Sequence, residues 1–251
     1  MAIGYETIGK GPKRVLVMHG WFGDHTMFDP MRPSLSQDEF TYVLMDYRGY
    51  GKSKGEKGNY SMAEISSDAL KLADQLKWDK FNLIGHSMGG MTVQRIYADA
   101  PNRVQKIVAV TPVPASGVPF EGDMLKLFQS ATNSLDSRKG IISFSVGGKC
   151  SNTWVDRMAR YSEETSTKEA FDAYFKAWSG TNFVDAIKGK PVPIKVIVGA
   201  NDGALTPDVM KATFLAWYPN AELEVMQNAG HYPMDETPVA LATSIENFLR
   251  K

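Results

Sequence analysis

Apolar residues fall along this chain in two rhythms. Continuous short runs at Val15-Leu16-Val17-Met18, Tyr42-Val43-Leu44-Met45, Phe81 to Ile84, Val104 to Val110 and Ile194 to Val198 read as strands buried on both faces. Ala221 to Met226 reads as the last strand. Between the runs, apolar positions recur at helical spacing. After Ser61, an N-cap with Glu64 completing a capping box, Met62, Ile65, Ala69, Leu72, Ala73 and Leu76 keep to one face. Further helices are predicted from Met88 to about Ala98, from Pro207 to about Tyr218, and from about Val239 to Leu249. Strand alternating with helix implies a mainly parallel, doubly wound α/β sheet with helices on both faces. The weak alternation of Ile3 to Ile8, followed by the Gly9–Pro12 turn, predicts an opening hairpin. Pro30 and Pro33 restrict Met27 to Leu35 to broken turns.

The rhythm breaks between Val113 and Phe183, where several helical patterns follow one another without a strand. So long a stretch exceeds a plain crossover and predicts an inserted helical cap. The chain then divides into a core of residues 1–112 and 184–251 and a cap of residues 113–183, placed after the sixth strand. Aromatic and methionine side chains crowd the cap, and Phe128, Phe144, Trp154, Met158, Phe175 and Trp178, with Phe22 from the core, are the candidate substrate-binding residues.

Composition narrows the class. The 251 residues carry 28 Lys+Arg and 28 Asp+Glu, a formal net charge of zero, which points away from nucleic acid or an anionic membrane and toward a small neutral partner. The single Cys150 permits no internal disulfide and has no neighbouring base, so it reads as a bystander thiol. The opening Met1–Glu6 segment lacks the pattern of a signal peptide, and no apolar run reaches the ~20 residues of a membrane span. A cytoplasmic protein, monomer or homodimer, with no cofactor and no metal is expected.

The chemistry centres on Gly85-His86-Ser87-Met88-Gly89, a G-x-S-x-G turn between a buried strand and a helix. A serine hydroxyl needs a general base to become a nucleophile. Of the four histidines, His19 is expected to brace its loop, His25 to lie exposed, and His86 to point away from the nucleophile's side of the turn. His231, in the Gly-His-Tyr-Pro turn after the last strand, remains as the base. Asp202, in the loop beyond the Ile194–Val198 strand, is placed to orient it; Asp208 and Asp235 are rivals better explained as helix caps. Acyl transfer also needs oxyanion donors. The Met88 amide is the first, and Trp21 is preferred to Phe22 for the second.

Taken together, His19-Gly20-Trp21, Asp46-x-Arg48-Gly49-x-Gly51-x-Ser53, Gly85-His86-Ser87-Met88-Gly89-Gly90, Asp202 and Gly230-His231 resemble the α/β-hydrolase fold, in its cap-bearing, serine esterase-like branch. The order Ser87, Asp202, His231 is the one that resemblance implies. It also implies that Asp46, Arg48 and Ser53 brace loops and do not react. The expected activity is that of a carboxylesterase on a small to medium, apolar ester. Carbon–carbon hydrolysis of ring-fission products, lactone hydrolysis and cofactor-free perhydrolysis use similar residues, and a ligand receptor with a retained triad is the alternative of a different class.

Overall fold

In the computed structural model, which describes residues 3–251, seven strands form one sheet. They are β1 (Tyr5–Ile8), β2 (Lys13–Met18), β3 (Phe40–Met45), β4 (Phe81–His86), β5 (Val104–Val110), β6 (Ile194–Gly199) and β7 (Ala221–Met226), in the spatial order β1-β3-β2-β4-β5-β6-β7. Every neighbouring pair is parallel except β1 with β3. Met1 and Ala2, which open the segment read for a leader, lie outside the described residues.

The opening hairpin is not formed. β1 pairs with β3, Tyr5 opposite Met45 and Ile8 opposite Tyr42, while β2 takes the other edge of β3. The reason lies in the connecting turn. Lys10 and Gly11 donate their amides to Gln37 O and Phe40 O, so the turn wraps over the start of β3 and carries the chain across it. Gly9 permits this at φ 80°, where a β-carbon would collide with the Phe40 carbonyl. Only one strand precedes β2, so five strands stand before the long insertion, not six.

The central strands are buried throughout their second halves, as parallel strands covered on both faces must be. A 3-10 segment, His25–Ser34, and the last helix share one face; Tyr42 donates its hydroxyl to Glu246 there. α1 (Met62–Gln75) and α2 (Met88–Asp99) pack together as a second helical layer. Ser61 accepts the Glu64 amide, and Glu64 reaches back to Tyr60 N, a capping box shifted by one residue. The insertion between β5 and β6 holds α3 (Gly122–Ser130), α4 (Leu135–Ser145), α5 (Asn152–Thr165), α6 (Lys168–Gly180) and the short α7 (Val184–Ile187). Beyond β6, the expected single helix breaks at Thr213 into α8 (Pro207–Ala212) and α9 (Phe214–Trp217). α10 (Pro233–Glu236) and α11 (Pro238–Arg250) end the chain. Among the described residues, no helix is long and apolar enough to cross a membrane.

The insertion is joined to the core by aromatic packing and by polar bonds. Trp21 stacks on Phe171 of α6 with ring centroids 4.0 Å apart and donates its indole N–H to Phe171 O at 2.7 Å. Tyr161 of α5 donates its hydroxyl to Asp24 Oδ1 at 2.8 Å. Arg138 of α4 is buried inside the insertion, where it donates to Ala131 O and Ser162 Oγ and lies 3.8 Å from the Phe171 ring centroid.

Candidate active site

The turn between β4 and α2 is tight because three backbone segments meet there. A β-carbon on Gly85 would collide with the Gly89 carbonyl, and one on Gly89 with the Met18 carbonyl at the end of β2. Only glycine fits either position. Ser87, at the apex, has φ 55° and ψ −117°, a conformation a side-chain-bearing residue adopts at a cost. The turn is held by Ser87 N donating to Val110 O and by Ser87 O accepting from Gly90 and Val113.

The β6 and β7 loops bring the other two groups to the serine. A β-carbon on Gly199 would collide with Gly230 O, so the loops leaving these parallel neighbours cross in contact. His231 Nε2 then stands 3.0 Å from Ser87 Oγ, and His231 Nδ1 stands 2.7 Å from Asp202 Oδ2. The other Asp202 oxygen accepts the Ala204 and Leu205 amides, each at 2.9 Å. A carboxylate only accepts, so Nδ1 carries the imidazole proton and Nε2 is left to accept from the serine. Asp208 and Asp235 are elsewhere: Asp208 pairs with Lys211, and Asp235 accepts from Trp154 Nε1 and Arg157.

Two histidines depart from expectation. His25 is buried, not exposed, because its ring lies 2.7 Å from Asp46 Oδ2 and its amide donates to Asp46 Oδ1. Burial opposes its charge, but the close contact and charge of Asp46 outweigh burial and hold its pKa above the ordinary value. His86 is not turned away from the site: its ring packs 5.0 Å from that of His231, and Nε2 donates to His231 O at 2.7 Å. Burial, reinforced by the neighbouring His231, pushes the His86 pKa well below the usual imidazole value, so it stays neutral. His19 does brace its loop, donating to Gly20 O at 2.8 Å and accepting from Tyr47 N.

Asp46 also accepts the Lys52 amide, Arg48 forms a two-pronged pair with Asp68, and Ser53 Oγ accepts from Gly4 N, so each of the three braces backbone or helix. Asp24, His25 and Asp46 form a cluster with metal-ligand donor types, but internal bonds occupy it: Asp24 Oδ1 accepts from Thr26 N, Thr26 Oγ and Tyr161, and Asp46 holds His25.

The loop carrying Trp21 passes beside Ser87; a β-carbon on Gly20 would lie 3.2 Å from Ser87 Cβ. Trp21 and Met88 are both buried, Met88 as the first residue of α2. A cavity of about 60 Å³ reaches Ser87 and His231, and Phe22, Phe128, Phe144 and Trp178 line it with Trp21. Trp154, Met158 and Phe175 do not. Trp154 is held by Asp235 and packs on Tyr232; Phe175 is buried behind Trp21, Phe128 and Trp178. Met158 lines a second, larger cavity of about 360 Å³ with Met27, Pro30, Arg157, Tyr161 and Met234. That cavity reaches neither Ser87 nor His231; Tyr232 is the wall the two share. Cys150 is half-buried with its thiol pKa pushed up to about 11 by burial and Glu236, which makes it a poor nucleophile.

Sequence reasoning missed the residues that hold the His231 backbone in place. Thr111, at φ 40°, donates its hydroxyl to His231 O at 3.0 Å, and Ser145 O of α4 accepts the His231 amide. Glu236 takes the amides of Gly230 and Tyr232. Only Glu236 left a signal, an acid four residues beyond a helix N-cap.

This strand–serine–helix turn, facing an aspartate and a histidine from the ends of successive strands, defines a class. Residues 13–238 match the model of the alpha/beta hydrolase fold, and the chain belongs to that family. It is similar to the dihydrolipoyllysine-residue acetyltransferase component of the acetoin cleaving system of Cupriavidus necator, at 25% identity over 90% of this chain, but spans only 61% of that protein. It is 27% identical to a 2-hydroxy-6-oxononadienedioate/2-hydroxy-6-oxononatrienedioate hydrolase of Dechloromonas aromatica, covering 91% of this chain and 83% of that one. Among solved structures, an esterase from Exiguobacterium antarcticum superimposes with a TM-score of 0.88 at 19% identity, covering 99% of this chain and 96% of the other.

Proposed function

We propose that the protein is a serine hydrolase, a carboxylesterase acting on a small, uncharged ester. The observation that carries this reading is His231, placed 3.0 Å from Ser87 Oγ and 2.7 Å from Asp202 at the edge of an apolar cavity. Ser87 Oγ attacks the ester carbonyl while His231 Nε2 takes its proton; Asp202 stabilises the resulting imidazolium. The amides of Met88 and Trp21 are assigned to the oxyanion. His231 returns the proton to the leaving alcohol, and the acyl group stays on Ser87. A water, deprotonated by His231, then attacks the acyl-enzyme and frees the acid and the serine.

The cavity argues for substrate class. Its volume of about 60 Å³ suits a short acyl group, and apart from His231 none of its lining residues is ionisable below the tyrosine range. A dicarboxylate ring-fission product of the kind named for the Dechloromonas relative would bring charge into a cavity without a cation, which burial penalises. A neutral ester fits it better. In the same reading, the helices of residues 113–183 act as a cap that sets acyl size.

Hydrolysis of p-nitrophenyl acetate and butyrate tests the proposal. The expected result is turnover with a burst, preference for the shorter acyl group, abolition in Ser87→Ala, and a phosphonate adduct on Ser87. No burst and no turnover in the intact protein, with Ser87→Ala indistinguishable from it, would overturn it.

A further inference from the structure

The peptide of the catalytic base is clamped from every side. His231 N donates to Ser145 O at 3.1 Å, and His231 O accepts from His86 Nε2 at 2.7 Å and Thr111 Oγ at 3.0 Å. The amides on either side go to a single carboxylate. Gly230 N donates to Glu236 Oε2 at 2.8 Å, and Tyr232 N donates to Glu236 Oε1 at 2.8 Å. One side chain therefore spans the residue whose imidazole must reach both Ser87 and Asp202.

A helix cap would need less. The Tyr232 amide alone is the N-cap donor of α10, and satisfying it uses one oxygen. The second oxygen reaches past the cap to Gly230, the last residue before the base, where no helix benefits. Gly230 itself has little room: a β-carbon there would lie 2.7 Å from Val146 Cα, beside the α4 end that accepts the His231 amide. The chain on both sides of His231 is thus fixed by contacts that make no bond to the imidazole.

We infer that Glu236 is a positioning residue for His231, holding the Gly230–Tyr232 backbone so that the imidazole bridges Ser87 and Asp202. Its kinetic consequence rests on the esterase reading; its structural consequence does not. The carboxylate is well suited to the task. The two amides lie on opposite sides of His231 and each meets its own oxygen, and charge-assisted bonds are roughly twice as strong as neutral ones. Burial raises the Glu236 pKa, while the two amides and the neighbouring His231 draw it back toward the charged form. The Cys150 thiol lies 3.9 Å from Oε2, and the nearby Asp202 opposes the charge.

Glu236→Gln tests the inference because it keeps the size of the side chain but offers one acceptor where two are needed. Its amide nitrogen must face either Gly230 N–H or Tyr232 N–H. Displacement of a catalytic group by about 1 Å costs on the order of 10²-fold. The expected result is kcat on p-nitrophenyl acetate lowered by about 10- to 100-fold with KM changed less than about twofold, since acyl binding is untouched. Proton NMR supplies a readout independent of activity: the low-field resonance of the His231 Nδ1–H shared with Asp202 should shift or broaden in E236Q while amide dispersion is preserved. Absent ester turnover in the wild type would sink the esterase reading and leave this spectral test standing. An unchanged low-field resonance, or a kcat equal to that of the wild type in folded E236Q, overturns the positioning role. Should E236Q not fold, Glu236→Asp, whose shorter side chain keeps the charge but cannot span both amides, must give the same split. Failure of both variants to fold overturns the inference in favour of a purely structural glutamate.

Discussion

Asp202→Asn probes the tautomer on which the whole site depends. Asp202 Oδ1 accepts two buried amides, Ala204 and Leu205, at 2.9 Å, and Oδ2 accepts His231 Nδ1–H at 2.7 Å. An asparagine has one oxygen and one NH2 group to place. With the oxygen on the two amides, its NH2 faces His231 Nδ1 and forces that nitrogen to accept. The imidazole proton then sits on Nε2, pointing at Ser87 Oγ, and the base can no longer take the serine proton. The opposite placement restores the working tautomer but turns the NH2 toward two buried donors. Leaving each unsatisfied costs about 1–3 kcal/mol, or about 2–6 kcal/mol for the pair. At about 1.4 kcal/mol per factor of ten, kcat should fall by about 30-fold to 10⁴-fold.

The assay is kcat for acetate ester hydrolysis alongside the thermal midpoint, with Asp202→Ala as the contrasting variant. Asn keeps the loop bonds, so its Tm should stay near that of the wild type while activity collapses. Ala leaves both loop amides without their acceptor, so its Tm should fall as well. An Asp202→Asn enzyme within threefold of wild-type kcat would refute the argument. So would a Tm loss in the Asn variant as large as in the Ala variant, because the two loop bonds would then not be choosing the orientation.

Three further outcomes follow from contacts away from the imidazole. Gly85→Ala drives a β-carbon into the Gly89 carbonyl, a backbone atom that cannot swing aside; it should cost upward of about 3 kcal/mol in urea unfolding, and a variant as stable as wild type would contradict the packing argument. Trp21→Phe removes the indole donor to Phe171 O while keeping an aromatic ring, so a loss of about 1–3 kcal/mol is expected in the same assay. His25→Gln addresses pH: the His25 pKa is raised in the fold, so the stabilisation from its Asp46 partner is full below about pH 6.5 and fades as pH rises through the raised value. His19, whose pKa burial lowers, gives a separate dependence on the acid side. The difference in urea midpoint between wild type and His25→Gln should therefore shrink as pH rises above about 6.5; a constant difference would refute the pairing.

What was legible in the sequence was what local chain geometry determines. Ser87 announced itself because two glycines must flank so tight a turn, and Asp202 and His231 because each follows a strand in a sheet whose order the apolar runs predicted. Contacts made only by the assembled fold were silent. The opening Ile3–Ile8 segment has a turn after it that suits a hairpin, and nothing local says that the turn wraps across β3. His25 looked like an exposed loop residue because its partner, Asp46, is twenty-one positions away. Trp154, Met158 and Phe175 share the aromatic and methionine character of the true cavity lining; helical periodicity tells which face of a helix is buried but not which neighbour it is buried against.

The insertion enters the candidate active site by two routes that one helix joins. α4 lines the cavity at Ser87 through Ile141, Phe144 and Ser145, and the carbonyl of that same Ser145 accepts the His231 amide. Phe144, 43% exposed, lies against the loop of Gly203, next to Asp202. Displacing the end of α4 would thus disturb the cavity wall, the seat of His231 and the loop of Asp202 together. The sheet brings Ser87, Asp202 and His231 to one edge and His86 of β4 holds the His231 carbonyl, but the acceptor of the His231 amide, Ser145 O, comes from outside the sheet. In the proposed esterase, acyl selection and base alignment would for that reason be properties of a single packing arrangement, with residues at the end of α4 acting on both.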